Sequence, residues 1–432
     1  MEHTLVIKKV ITGGKGLASL PDGMVLMVPA VLPGETVVVR ETRTRKGYKE
    51  ARLIRIIEAA PERITPPCPH YLDCGGCDLQ HAAYPAQLEI KGQILHEILE
   101  RAKLELPADQ PGLPLPSPAA FGYRHRVRLH LDPAGQLGFH QSASNRVVPI
   151  RRCLLATEPI NRAIGALVDE GWPQRLKETI AALELLHCPA SGRVILVLQP
   201  RPAAPNAVDA AQIAELAALA DEIVVQEDRP GRNKGEQSTA ALSQDFVIGA
   251  QNYRLDWDHR CFFQVNVQQN QRMLALAMDL PASRPTPFSA LDLFCGMGNF
   301  SIPLGLLGAI VTGIEHNQRS IHWAGHNSRR AGLQQMRFIA ADVEQQLKQA
   351  VAHQETFDCI LLDPPRQGLG KAAALLPLLR PKRIISISCD PATLARDLRL
   401  IVAGGYRLAA ITPVDMFPQT HHIESVAILE RN

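Results

Sequence analysis

Two short segments, Asp363-Pro364-Pro365-Arg366 and Ser388-Cys389-Asp390-Pro391, each follow an apolar run of strand character. Asp390 is a good helix N-cap and Pro391 a good first helical residue, so Cys389 is expected at the positive end of a helix. That position favours the thiolate, the form in which cysteine is a nucleophile, although the Asp390 charge partly opposes it. Farther on, His421-His422-Ile423-Glu424-Ser425 puts a carboxylate at the opening of an otherwise apolar strand. A nucleophile with a general base nearby supports covalent catalysis with proton removal, and that chemistry needs no metal. Spacing alone also allows Cys389 to be a buried strand cysteine and Glu424 an exposed strand-end glutamate.

A second constellation suits a nucleotide-like cofactor. The run Ala290–Phe294 leads into Cys295-Gly296-Met297-Gly298-Asn299-Phe300. Glycines after a strand let the backbone approach a ligand where a Cβ would collide. Glu315 ends the next strand-like run, 19 residues after Gly296, where a carboxylate accepts ribose hydroxyls. Asp342 ends the third run, where it would meet an adenine; it and Glu315 also read as a helix N-cap or a solvated strand end. A nicotinamide enzyme shares this layout, and a purely structural turn would show it too. Ser301 in place of a third glycine, and a closing strand pair at the C-terminus, favour S-adenosylmethionine.

Nine cysteines without a secretory signal argue for metal ligands or core positions rather than disulfides. Cys68, Cys74 and Cys77 have the spacing C-x5-C-x2-C, and Cys153 follows far downstream. Four thiolates hold zinc or a [4Fe–4S] cluster equally well, with His70 and His81 as alternative zinc ligands. Spacing does not decide between them, nor exclude a site without metal.

These residues need elements to carry them. After about His259, strand-like runs alternate with helical stretches of about 10 to 15 residues, which implies a parallel sheet covered by helices. The runs are Ala290–Phe294, Ala309–Ile314, Met336–Ala340, Phe357–Leu362 and Arg383–Ser388, with Tyr406–Thr412 and Ile423–Leu429 closing the sheet. Residues 1–60 read as a small β-barrel, because short apolar runs such as Val25–Val28 and Thr36–Val39 alternate with Gly/Pro turns. Residues 61–258 read as α+β: a cysteine-rich loop, a helix from Pro85 to about Leu104, a Pro-rich linker and strands at Arg124–Leu131 and Val194–Leu198.

At 432 residues, 46% hydrophobic and 21% charged, the chain has a globular composition, with a domain expected for each segment. No apolar run is long enough for a membrane span, and Met1–Val10 has no leader-like core, so a cytoplasmic protein is expected. The net charge of +3 conceals two basic stripes. Seven Lys and Arg lie between Arg40 and Arg55, and six Arg between Pro118 and Arg152. Such stripes fit a polyanion followed along a track, or an ordinary solvated face.

Together the residues resemble the RNA 5-methyluridine methyltransferases, specifically the 23S rRNA type with an N-terminal TRAM domain and an iron–sulfur cluster. Five segments in order carry the likeness: Phe262-Phe263-Gln264-Val265-Asn266, Asp292-Leu293-Phe294-Cys295-Gly296, Asp363-Pro364-Pro365-Arg366, Ser388-Cys389-Asp390-Pro391 and His422-Ile423-Glu424-Ser425. The resemblance implies a class I (Rossmann-like) methyltransferase domain at 259–432, an OB/TRAM-like barrel at 1–60 and a central iron–sulfur and RNA-binding domain at 61–258. It implies Cys389 as the nucleophile that adds to carbon 6 of uracil, which makes carbon 5 reactive toward a methyl sulfonium, and Glu424 as the base that then removes the carbon-5 proton. Gln264, Phe294, Asn299, Glu315, Asp342 and Asp363 are implied to surround cofactor and target, with Phe262 as a stacking ring for an extruded base. Cys68, Cys74, Cys77 and Cys153 are implied to hold the [4Fe–4S] cluster. The implied partner is 23S rRNA, with no membrane and no obligate protein partner. The same chemistry on tRNA or another rRNA uridine, or an inactive RNA-binding relative, are the rival expectations.

Overall fold

A computed structural model describes residues 1–202, 208–226, 241–280 and 286–432. The chain opens with six strands: β1 (Glu2–Val6), β2 (Lys9–Ile11), β3 (Lys15–Ser19), β4 (Val25–Pro29), β5 (Thr36–Arg45) and β6 (Tyr48–Glu58). They form an OB-like sheet in the order β1-β5-β6-β4-β3-β2. Alternation places Ile7, Ala18, Leu26, Val28, Val37 and Val39 in its core. Strands β5 and β6 run well past the apolar residues that announce them. Their far arms meet at Gly47, held at a φ of 88°, and expose Arg43, Arg45 and Lys46. An apolar-run criterion stops β5 at Val39 because the arm beyond it leaves the core.

A helix at Tyr84–Arg101 follows the cysteine loop, with Pro85 in its first turn. The central sheet comprises β7 (Arg126–Leu131), β8 (Leu137–His140), β9 (Val147–Pro149), β10 (Ile180–His187), β11 (Val194–Pro200) and β12 (Glu222–Val225), in the order β12-β11-β10-β7-β8-β9. Helix Glu158–Asp169 packs Ile160 and Ile164 against Leu129, Leu183 and Leu185 of this sheet. A hairpin of β13 (Ala241–Ile248) and β14 (Gln251–Asp258) leads to the last unit.

That unit carries β15 (Phe288–Leu293), β16 (Ala309–Glu315), β17 (Arg337–Ala340), β18 (Cys359–Leu362), β19 (Arg383–Ser388), β20 (Tyr406–Val414) and β21 (Glu424–Arg431). The order is β17-β16-β15-β18-β19-β21-β20, with β21 antiparallel to both neighbours and the preceding pairs parallel. Neighbouring residues of each strand enter different apolar clusters: Ala290, Leu361 and Ile385 in one, Leu291, Ile360 and Ile384 in the other. Both faces are therefore buried, as for a sheet covered on each side by helices. Each such Leu or Ile contributes about 1.5–3 kcal/mol through removal from water. Two crossover helices are shorter or tighter than their sequence suggests. Ser301–Leu306 stops before Gly308 (φ 93°), and Gly370–Leu379 is a 3₁₀ helix with Pro377, which has no N–H, inside it.

Strand order reverses between β15 and β18, which opens a crevice at their carboxyl ends. The glycine loop and Asp363 follow those ends, and Cys389 follows the end of neighbouring β19. No helix among the described residues is long and apolar enough to cross a membrane.

Candidate active site and cysteine cavity

Ser388 of β19 pairs with Ser425 of β21, so the next rung sets Cys389 opposite Glu424. The two segments converge although 35 residues separate them in sequence. Asp363 follows β18, its N–H donating to Leu293 O (3.3 Å) at the end of β15. Helix Pro391–Ala403 starts as its cap residues dictate, with the Asp390 carboxylate accepting from the N–H groups of Ala392 and Thr393 (3.0 and 2.9 Å).

The electrostatics reverse one expectation. Burial, then the Glu424 and Asp363 charges, push the Cys389 thiol up to about 11, and Arg366 only partly opposes them. The helix terminus is present, but burial and the neighbouring carboxylates outweigh it. Glu424 is no exposed strand-end residue, being 3% exposed. Burial and the Asp363 charge hold its carboxyl well above the usual range. Burial likewise raises Asp363 to about 7. A neutral thiol thus faces two carboxyl groups that are themselves raised by burial. His422, to which the motif alone gives no role, is pushed down to about 3 by burial and lies 3.4 Å from Arg366 Nη2. As a neutral imidazole it can accept from that guanidinium.

The glycine loop turns sharply, with positive φ at Phe294 (62°), Gly296 (54°) and Gly298 (96°). A Cβ on Gly296 would meet nothing within 4 Å, so one side of the loop is open. Beside it, half-buried Glu315 ends β16 and accepts from Gly296 N–H (3.3 Å) and Asn317 N–H (2.8 Å). An open glycine turn flanked by a carboxylate fits a nucleoside with ribose hydroxyl donors. Asn299 exchanges amide hydrogen bonds with Asn270 (2.9 and 3.2 Å). Asp342 is exposed, two residues beyond β17, and caps helix Val343–Ala352 through Gln345 N–H (2.9 Å). Gln264 is buried on the segment that presents Phe262, a residue 69% exposed.

Sequence reasoning missed Asp292. Its carboxylate is fully buried beneath the loop, accepts from Ser301 Oγ (2.5 Å) and is raised by burial to about 7. Ser301, notable in the sequence only as a missing glycine, is thus its partner. A carboxylate inside the apolar run 290–294 was the available signal.

Cys68, Cys74, Cys77 and Cys153 line one cavity of about 100 Å³. Gly75 N–H donates to His140 O (3.0 Å), which docks the loop on β8. Burial raises Cys74 and Cys153 and takes Cys77 to about 12, and each of the three is raised further by other thiols of the set. Amide groups point at these sulfurs, from Gly76 to Cys74 and from Leu155 and Ala156 to Cys153, as suits thiolate ligands. His81 is unavailable as a ligand: Nδ1 meets Tyr71 OH (2.7 Å) and Nε2 meets Val31 O (3.3 Å). Among the described residues, no three Cys, His, Asp or Glu side chains converge closely enough to hold an ion as they stand.

A family model described as tRNA (Uracil-5-)-methyltransferase matches residues 123–432. The chain belongs to that family. It is an RNA uracil-C5 methyltransferase by that membership. The 23S rRNA (uracil(1939)-C(5))-methyltransferase RlmD of Shewanella sp. (strain MR-4) is 34% identical over 428 residues, which cover 96% of this chain and 93% of that protein. The RlmD of Shewanella amazonensis is 37% identical over 429 residues with the same coverage. Among solved structures, the Pyrococcus abyssi tRNA (uracil-54, C5)-methyltransferase in complex with S-adenosyl-L-homocysteine matches with a TM-score of 0.74 and 24% identity, over 99% of this chain and 100% of that one. The fold of this family member is therefore shared along its whole length. Its seven-stranded sheet, OB-like N-terminal sheet and central α+β portion are the arrangement expected from the sequence.

Proposed function

We propose that this enzyme methylates carbon 5 of a specific uridine in 23S rRNA, in the cytoplasm, with Cys389 as nucleophile and Glu424 as base. The observation that carries the proposal is the register of β19 and β21, which ends on Ser388 beside Ser425 and so brings Cys389 next to buried Glu424, whose charge acts on the thiol. Substrate choice follows the RlmD relatives, which match over 96% of the chain.

Glu315 and the 294–299 loop would hold S-adenosylmethionine, with Asp342, Asn299, Gln264 and Asp363 around cofactor and target. Bound there, it supplies an electrophilic methyl group. Cys389 loses its proton to the Asp363 carboxylate, which leaves Glu424 ionised for the later step, and its sulfur bonds to carbon 6 of the uracil. The electron pair released from the 5,6 double bond makes carbon 5 nucleophilic. After carbon 5 has gained its methyl, Glu424 takes the carbon-5 proton, the 5,6 double bond re-forms and the Cys389 sulfur leaves as thiolate. Phe262 offers an exposed ring on which an extruded base stacks. Residues 1–60 and 61–258 bind the RNA through their basic faces, and residues 259–432 carry the reaction. Cys68, Cys74, Cys77 and Cys153 hold a [4Fe–4S] cluster, which supports the RNA-binding portion and takes no part in proton transfer. Iron and acid-labile sulfide in anaerobically purified protein test that assignment, and zinc in their place contradicts it.

Methyl-labelled S-adenosylmethionine with 23S rRNA lacking base methylation tests the reaction. Label recovered as 5-methyluridine supports the reading. Label recovered as 5-methylcytidine, or transferred only to tRNA, overturns the base or the substrate respectively.

A further inference from the structure

Residues 415–419 lead from β20 toward Glu424, and their backbone is held from four directions. The carbonyl of Met416 accepts from Asn266 Nδ2 (3.1 Å), that of Phe417 from Lys91 Nζ (3.0 Å) and that of Pro418 from Tyr123 OH (3.0 Å). The carbonyl of Gln419 accepts from the N–H groups of Asp78 and Leu79 (3.1 Å each). Connecting segments usually leave such groups to water. Gln419 also has a φ of 71°, unusual for a residue with a Cβ, and exchanges amide hydrogen bonds with Gln87 (2.9 Å each). Backbone held in that region persists only where its surroundings over-determine it.

Lys91 lies at the middle of this arrangement. Its ammonium is 2.5 Å from Asp415 Oδ1, and both side chains are fully buried. Asp415 Oδ2 accepts from Tyr84 OH (2.8 Å) on the same helix. That helix also packs Ile90 and Ile94 in one cluster with Ile423, the residue before Glu424. A buried ion pair is a poor device for stability, since apolar replacements of similar volume often do as well. What this pair contributes is geometry.

We propose that the buried Lys91–Asp415 pair is a positioning device for the proton-removal step, fixing residues 415–419 so that Glu424, five residues beyond, faces Cys389. The proposal rests on the assignment of Glu424 as the base. Lys91 is fully buried, and it acts through Phe417 and Asp415. Loss of the pair therefore slows the release of Cys389 from methylated uracil more than it slows the addition.

The test compares Glu424→Gln, Lys91→Met and the double variant Lys91→Met/Asp415→Leu with the full-length enzyme on unmodified 23S rRNA. The double variant leaves no unpaired buried charge, so it folds even if Lys91→Met does not. Steady-state rates are measured with the amount of RNA–protein adduct that survives denaturant and carries the transferred methyl. Glu424→Gln lowers kcat by about 100-fold or more and accumulates the adduct. The double variant lowers kcat by about 10- to 100-fold with KM for RNA nearly unchanged, and accumulates the same adduct. A lower melting temperature with kcat intact, or a lower kcat without adduct, overturns the positioning role while Glu424→Gln still accumulates it. Absence of adduct from Glu424→Gln overturns the base assignment and the positioning role with it.

Discussion

Burial of Cys389 beside Glu424 and Asp363 raises the thiol and the Glu424 carboxyl, the two groups proposed to react. A carboxyl must be ionised to accept a proton, so activity is lost as pH falls through its pKa. For Glu424 that pKa is raised, first by burial and then by the Asp363 charge. The acid limb of the kcat profile is therefore expected above the usual carboxylate range. Asp363→Asn removes a charge that raises both Glu424 and Cys389, so the limb moves to lower pH even though the maximum rate drops. A pH–rate series on the two proteins measures this, and an unmoved limb contradicts the assignment of Glu424. Cys389 and Glu424 are candidates in the sequence because each stands at a strand end with a cap or an apolar run beside it, and the family resemblance implies their roles. It could not supply the direction of the thiol's shift, which comes from carboxylates 26 and 35 residues away.

Elements of the catalytic sheet were legible to within two residues, since Gly, Pro and Asp punctuate runs that are apolar on both faces. The far arms of β5 and β6 were not, because alternating charged residues outside a core carry no apolar signal. Those arms have a function of their own in the proposed account: Arg43, Arg45 and Lys46 are exposed there. Replacing the three with Ala should weaken RNA binding and flatten its salt dependence, by roughly 0.7–0.9 in log–log slope for each phosphate no longer neutralised. Binding measured at several salt concentrations, with single-turnover rates at saturating RNA, checks this. An unchanged slope contradicts an RNA-binding role for the arms, and the single-turnover rate should stay within about 2-fold, as loss of uniform binding requires.

Over the whole molecule, the candidate site is assembled from distant parts of the chain. Gln87 and Gln419 exchange hydrogen bonds across 332 residues, and Asp78, next to the cysteine loop, contacts His421 at 2.5 Å. Periodicity and spacing describe neighbours in sequence, so neither reported this convergence or the carbonyl contacts at 416–419. Changes in pattern along the chain led to the expectation of three units; the way the helix at 84–101 braces the segment before Glu424 was visible only once folded. The central claim is that these parts converge to let Cys389 attack carbon 6 of a uracil. It is tested most directly with a 23S rRNA fragment in which the target uridine is replaced by 5-fluorouridine, since Glu424 cannot remove fluorine as it would a proton. The account predicts an adduct stable to denaturation, mapped by peptide mass spectrometry to Cys389, and absent from Cys389→Ala. An adduct on another residue, or methyl transfer to normal RNA that survives in Cys389→Ala, would contradict it.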